Sequence, residues 1–243
     1  MKQSILTFLG SDAGFGDKNN SAYLEDNNKF LLIDCGFTVF EQVKHQFDFS
    51  KFEDISIIVT HLHNDHAGSL SQFIMYLWYV YGKKSNVYSA CQNISQYLEI
   101  TGTPIEAYEI FSGSENLKFI QTSHVPHLDA YGFSLYEKER KIVYTGDTSV
   151  IEPYKHDLID ASEFYVDVSK NSTVHLQIDE ILPQLLEINK NGTAVYLMHT
   201  DDKEYIRKKI DGTRYYISIG SWEKEQKKIS FSTCLDINFF LLI

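Results

Sequence analysis

Cysteine is sparse in this 243-residue chain: Cys35, Cys91 and Cys234, with no Cys-x-x-Cys pair. An odd, scattered set excludes a disulfide framework and a cysteine-built zinc site, leaving each thiol as a small buried apolar side chain. Long apolar runs are absent as well. The longest, 73–81 and 239–243, fall well short of the ~20 residues a membrane span needs. The opening run at 5–9, behind Lys2, is too short for a signal peptide. The expectation is a chain with no membrane segment, working in the cytoplasm. Positive charge is scarce, with 22 Lys and Arg against 33 Asp and Glu and a net charge of −11. Such a surface repels polyanions unless a local cation intervenes, which disfavours a large nucleic acid as partner. The Gly-rich loop at 10–16 lacks the Lys-Ser/Thr of a phosphate-cradling P-loop. No linker, charge block or low-complexity stretch divides the chain, so a single domain over 1–243 is expected.

What is present is a series of short β-type runs, at 5–9, 30–33, 55–60, 87–90, 119–122, 132–136, 142–145, 164–168, 194–198, 215–219 and 229–232. Glu137-Lys138-Glu139-Arg140 reads as a hairpin tip. Helical spacing appears at Leu70, Phe73, Ile74, Leu77 and Tyr81, and again at Ile178, Ile181, Leu182, Leu185, Leu186 and Ile188. Arg207-Lys208-Lys209 reads as a solvated helix face. Strands alternating with helices predict layered sheets with helices packed outside, an α/β architecture. Tyr76, Trp78 and Tyr79 lie off the Leu70/Phe73/Leu77 stripe. Either that helix is buried on several sides, or it presents a homodimer face.

The chemistry concentrates in His61-Leu62-His63-Asn64-Asp65-His66, directly after the apolar run 55–60. Alternating side chains at a strand end turning into a helix can converge on one point. Imidazoles and a carboxylate suit zinc, iron or manganese. His124, Asp147 and His199 each lie just past the C-terminal end of another apolar run, where open α/β sheets place their sites.

With Asp34 in Ile33-Asp34-Cys35-Gly36 and Gly146-Asp147-Thr148 added, the pattern resembles the metallo-β-lactamase superfamily over essentially the whole chain. The resemblance implies a metallo-β-lactamase-like αββα sandwich of two mixed sheets. It also implies a centre of two divalent metal ions, with zinc first and manganese or iron as alternatives. It assigns His61, His63 and His124 to one metal and Asp65, His66 and His199 to the other, with Asp147 bridging and Asp34 structural. His124 and His127 both stand near the third motif; His124, which follows its strand more closely, is preferred, leaving His127 facing the substrate or on the surface.

Ser123-His124-Val125-Pro126 departs from the Gly-His-Thr-x-Gly of true β-lactamases and glyoxalase II-like thioesterases. Tyr131-Gly132-Phe133 followed by Gly146-Asp147-Thr148 is closer to the ribonuclease Z-like phosphodiesterases. The acidic charge and the lack of a basic arm oppose transfer-RNA docking. Val166-Asp167-Val168-Ser169 also stands where ribonuclease Z has His-Glu-Ala-Thr, with His175 nearby. The stretch from His61 to Leu70 resembles small cyclic-nucleotide phosphodiesterases of this fold, including phage anti-Pycsar proteins. The expectation is therefore a metal-dependent phosphodiesterase acting on a small anionic substrate such as a cyclic nucleotide. Asp65 would orient the attacking water and His175, or failing it His127, would act as general acid. A helix-start role is the competing account of His175. Ser11, Asp12 and Asn20 in and beside the Gly-rich loop are within reach of a substrate, with plain turn chemistry as the default. The alternatives are a ribonuclease Z-like nuclease, a lactone or thioester hydrolase on the same metals, or a non-catalytic binding module.

Overall fold

A computed structural model describes residues 4–211 and the backbone of 217–219. The expected strand at 229–232, Cys234, the apolar run 239–243 and Lys2 lie outside the described residues.

Period-2 alternation in the strands decides the layering. In β3 (Lys29–Ile33), Leu32 faces one core and Ile33 another. Ile57 and Ile58 of β4 (Asp54–Ile58) divide in the same way. Val143 and Tyr144 of β9 (Arg140–Tyr144), and Leu197 and Met198 of β11 (Ala194–Met198), follow suit. Strands apolar on both faces must be covered on both faces. The result is two sheets face to face, with helices outside each.

Among the described residues the strands form two six-stranded sheets. The first runs β1 (Thr7–Gly10), β2 (Ser21–Asp26), β3, β4, β5 (Ser85–Tyr88), β6 (Tyr108–Phe111). The second runs β7 (Leu117–Gln121), β8 (Tyr131–Glu137), β9, β10 (Glu163–Asp167), β11, β12 (Ile217–Ile219). Each pairs its first three strands antiparallel and the rest parallel, so the two halves repeat one plan. Outside the first sheet pack α1 (Val39–Gln46), α3 (Leu70–Tyr81) and α4 (Ile94–Ile100). Outside the second pack α5 (Ile178–Lys190) and α6 (Lys203–Ile210), the latter carrying the expected Arg207-Lys208-Lys209 face. Between the sheets lie Phe8, Ile33, Ile58, Phe133, Tyr144, Tyr165 and Met198. This is the αββα sandwich that the resemblance implies.

The β8–β9 hairpin turns at Lys138 and Glu139, both left-handed at φ 47° and 62°, as a two-residue turn with matching twist requires. The extra aromatics of α3 divide. Tyr76 packs against Phe40 and Tyr81 at ring separations of 5.4 and 5.5 Å, and Trp78 is half-buried against the same core. Tyr79 and Val80 stay exposed. Strands β2 and β6 and helices α1 and α4 are additions to the expected elements. Each is short, and its apolar positions are too few to stand out as a period.

Cys35 and Cys91 are buried free thiols. Burial pushes Cys35 up to about 12 and Cys91 up to about 11, so neither forms thiolate at pH 8. Iodoacetamide at pH 8 is expected to leave both unmodified in the folded protein and to label both after denaturation, read by peptide mass spectrometry. Rapid native labelling of either would contradict the packing described.

Candidate metal centre

The site is made where strands stop. β4 continues through Val59 and Thr60 into His61; His63 caps the single turn α2 (Asn64–Ala67), which carries Asp65 and His66. β9 leads through Gly146 to Asp147. At Gly146 φ is +59°, and a Cβ would lie 2.6 Å from the Tyr131 carbonyl oxygen, so only glycine admits this path. His199 directly follows β11 and Asp167 ends β10, while β7 leads on to His124.

Two sets of side chains meet there. His63 Nδ1 lies 3.1 Å from His61 Nε2 and 3.2 Å from His124 Nε2. Beside them, His66 Nε2 and His199 Nε2 each lie 3.2 Å from Asp65 Oδ2. Asp147 stands between the sets: its Oδ2 is 3.7 Å from His61 and from His124 and 3.4 Å from His199, and its Oδ1 is 3.2 Å from His66. His61, His63, His124 and Asp147 thus form one potential metal-holding group, and Asp65, His66, Asp147 and His199 a second.

An outer layer fixes which nitrogens face inward. His124 Nδ1 donates to the Val174 carbonyl at 3.0 Å, and His66 Nδ1 to Asp34 Oδ2 at 2.8 Å. Thr60 Oγ1 donates to Asp34 and accepts from His61 Nδ1 at 3.1 Å. His199 Nδ1 faces Asp167 Oδ1 at 3.4 Å. His61, His66 and His124 spend Nδ1 on an outer hydrogen bond and His199 turns its Nδ1 toward Asp167, so all four leave Nε2 for the centre, an arrangement that orients metal-binding histidines.

The donor set fits divalent cations. Lone pairs of His61 and His124 both point at His63 Nδ1, which can donate to only one of them, so the triad is repulsive without a central cation. Tetrahedral zinc with nitrogens at about 2.0–2.1 Å holds them about 3.3 Å apart, close to the spacings seen. His66 Nε2 and Asp147 Oδ1 are enclosed and make no well-directed hydrogen bond, as expected of atoms reserved for an ion.

Titration follows the same crowding. Burial, together with neighbouring His66, holds His61 well below the usual imidazole range, and burial with His124 lowers His63. Burial would also depress His66, but Asp147 and Asp34 outweigh it and raise the group. His199 is pushed up to about 10 because Asp147 and hydrogen bonds to Asp167 and Asp65 overcome burial. Burial opposes ionisation of Asp147, yet His199 and His66 keep it well below the carboxylate range. The centre is therefore rich in carboxylate charge that buried positions tolerate only beside cations.

The structure brings His61, His63, Asp65, His66, His124, Asp147 and His199 together and places His175 beside them. The His175 ring lies 4.9 Å from those of His124 and His199, and its Nδ1 is 2.6 Å from Asp167 Oδ2. His127 is exposed with φ +68° and lies outside every potential metal-holding group. Asn20 needs correction as a substrate-facing residue. It is 1% exposed, its amide donates to Tyr144 at 2.8 Å, and its oxygen accepts from the His199 backbone at 3.3 Å. Ser11 is also buried, and its carbonyl accepts from Thr200. Asp12 is engaged by the Lys18 amide and by Lys203. All three are occupied in holding the loop. Asp167 joins the site without having been expected there, although it ends a fully buried run, Glu163–Asp167. A carboxylate closing such a strand is the signal that marks it.

The fold is shared with the metallo-β-lactamase fold protein YhfI from Bacillus subtilis, at TM-score 0.71 and 16% identity over 88% of this chain and 94% of that one. Human tRNase Z, short form, superposes at TM-score 0.63 and 19% identity over 82% of this chain and 93% of its own. The chain therefore has the metallo-β-lactamase fold. A family model described as "Anti-Pycsar protein Apyc1" matches residues 4–99, a span that includes His61 to His66. An anti-Pycsar protein Apyc1 from a Bacillus phage, 010DV004, is 29% identical over 81% of this chain and 89% of its own.

Purified protein is expected to carry divalent transition metal by elemental analysis. His124→Ala and Asp147→Ala should lower that content, while His127→Ala should leave it intact. A full complement in His124→Ala would remove that residue from the ligand set.

Proposed function

We propose that the protein is a phosphodiesterase that opens a small phosphodiester, a cyclic nucleotide above all, at a centre of two divalent ions. His61, His63 and His124 would hold one ion, Asp65, His66 and His199 the other, with Asp147 shared; zinc is the first choice for this nitrogen-rich set. When bound, divalent cations supply positive charge for the phosphoryl oxygens and make water a better nucleophile at neutral pH.

The observation that carries the proposal is the Asp167–His175 pair set against this cage. Breaking a P–O bond to a sugar leaves an alkoxide, which needs a proton as it departs. His175 spends its Nδ1 on Asp167, which leaves Nε2 for a substrate. Burial alone would lower it, but Asp167 and Asp147 outweigh that and raise it above the ordinary imidazole value, which favours its proton-carrying form. It donates that proton to the leaving oxygen. Asp65, between His66 and His199, orients the incoming water. Asp167 is a positioning residue for both His175 and His199. The anti-Pycsar relative aligned over most of its length supports the same substrate class.

His175→Ala should lower kcat on a cyclic nucleotide about a hundredfold with metal content unchanged. It should barely affect bis(p-nitrophenyl) phosphate, whose nitrophenolate leaves without a proton. Equal losses on both esters would remove His175 as the acid. A panel adding a lactone, a thioester and nitrocefin decides the reaction class: turnover of carbonyl substrates alone would overturn the phosphodiesterase assignment. The homodimer reading rests on exposed Tyr79 and Val80 of α3. Tyr79→Glu is expected to shift sedimentation from dimer to monomer, and a wild-type monomer at micromolar concentration would end it.

A further inference from the structure

We propose that Phe15 is the surface on which the base of the substrate stacks, an inference that rests on the phosphodiesterase reading above. The loop between β1 and β2 is held over the metal-ligand cluster from both sides. Ala13 N donates to the carbonyl of Thr200, the residue after His199, at 3.1 Å. Asp12 N donates to Lys18 O at 3.0 Å, and the Asp12 carboxylate accepts from Lys18 N at 2.8 Å and pairs with Lys203. On the far side Asn19 and Thr38 exchange two hydrogen bonds, of 2.8 and 3.1 Å.

So anchored, the loop brings Gly14 against Asp65: a Cβ at Gly14 would sit 3.2 Å from Asp65 Oδ2. Phe15 follows one peptide later, about 3.8 Å along the chain, and its relative exposure is 109%. The ring is wholly in water. Phe37, the other strongly exposed phenylalanine near α2, differs: it leans toward Gly68 and keeps 57% exposure. A large apolar ring without cover, on a backbone pinned at both ends beside a catalytic carboxylate, suits a flat apolar partner that arrives with the substrate.

A nucleotide supplies one. With its phosphate at the cage, the base must project past the rim, where Phe15 stands. Base–aromatic stacking is worth roughly 5- to 150-fold in affinity and tolerates every base, since each has a π-face. The ring therefore favours nucleotide esters over base-free ones without choosing among bases.

Phe15→Ala is expected to raise KM for a 3′,5′-cyclic purine nucleotide about tenfold and to leave kcat within about twofold. KM for base-free ribose 3′,5′-cyclic phosphate should not move, and Phe15→Tyr should behave as wild type. An unchanged KM, or equal shifts with and without the base, overturns the proposal. Phe15→Trp gives a readout that needs no turnover: adenosine 5′-monophosphate should quench its added fluorescence, and ribose 5-phosphate should not. Quenching without hydrolysis of any phosphodiester would sink the phosphodiesterase reading and leave the stacking role standing. Hydrolysis with neither quenching nor a KM shift would sink the stacking role alone. If Phe15→Ala instead changed the sedimenting species and left KM untouched, the ring would belong to a subunit contact and the proposal would fall.

Discussion

Asp147 is the point on which the histidine-rich edge of the molecule turns. Its two oxygens lie within 3.7 Å of four imidazoles drawn from both sheets, and it is 2% exposed. A carboxylate so enclosed is costly unless positive charge meets it. In the protein alone that charge comes from His66 and His199, which the surrounding carboxylates keep protonated. Cations can take over the same role, with the protons leaving as metal enters. The cluster is thus a set of groups that hold each other's charge.

This arrangement needs an outer frame, because lone pairs that converge repel. Asp34 and Asp167 provide it from equivalent places in the two halves of the fold. Asp34 follows β3, the neighbour of the strand that delivers His61 and His66, and takes His66 Nδ1. Asp167 ends β10, the neighbour of the strand that delivers His199, and faces His199 Nδ1. Backbone strain accompanies the frame: Asp34 and His199 are left-handed at φ 57° and 51°, each at a cost of order 1–3 kcal/mol. Hydrogen bonds hold both. Asp34 N donates to Ile58 O at 2.8 Å, and His199 N to the buried Asn20 side chain. Asn20 therefore supports a ligand position from within.

The legible part of this site is the part with chemical contrast. His61 to His66 follow an apolar run, and three imidazoles crowded at a strand end repel one another unless a cation joins them. Asp147 and His199 stand out by the same contrast at other strand ends. The layered fold is legible because strand interiors are apolar on both faces, as in Phe164, Tyr165 and Val166 and in Ala194–Met198. What stays hidden are partnerships that only the third dimension makes. Asn20 and Ser11 look like loop polars near a substrate until the sheets bury them. Asp167 looks like one more acid in an acidic chain until β10 and β11 align in register and set it beside His199. Phe15 looks like any loop residue, because a phenylalanine gives no sign in sequence of whether it will be covered.

Rigid and adaptable parts of the site are consequently divided between different kinds of backbone. The ligand positions sit at the ends of strands whose side chains are buried on both faces, where a shift of one residue would be resisted by two cores at once. The loop carrying Phe15 is attached by hydrogen bonds and one ion pair, and its tip meets water. Chemistry that depends on tenths of an ångström belongs on the first, and recognition that must accept a range of shapes belongs on the second. The acidic surface fits the same division. With a net charge of −11 attraction for an anion would have to be local, as the cations of the proposed function would make it. A small phosphodiester, the substrate proposed above, would enter that short-range field with its one negative charge. A long polyanion would have to lay many phosphates along a surface that repels them.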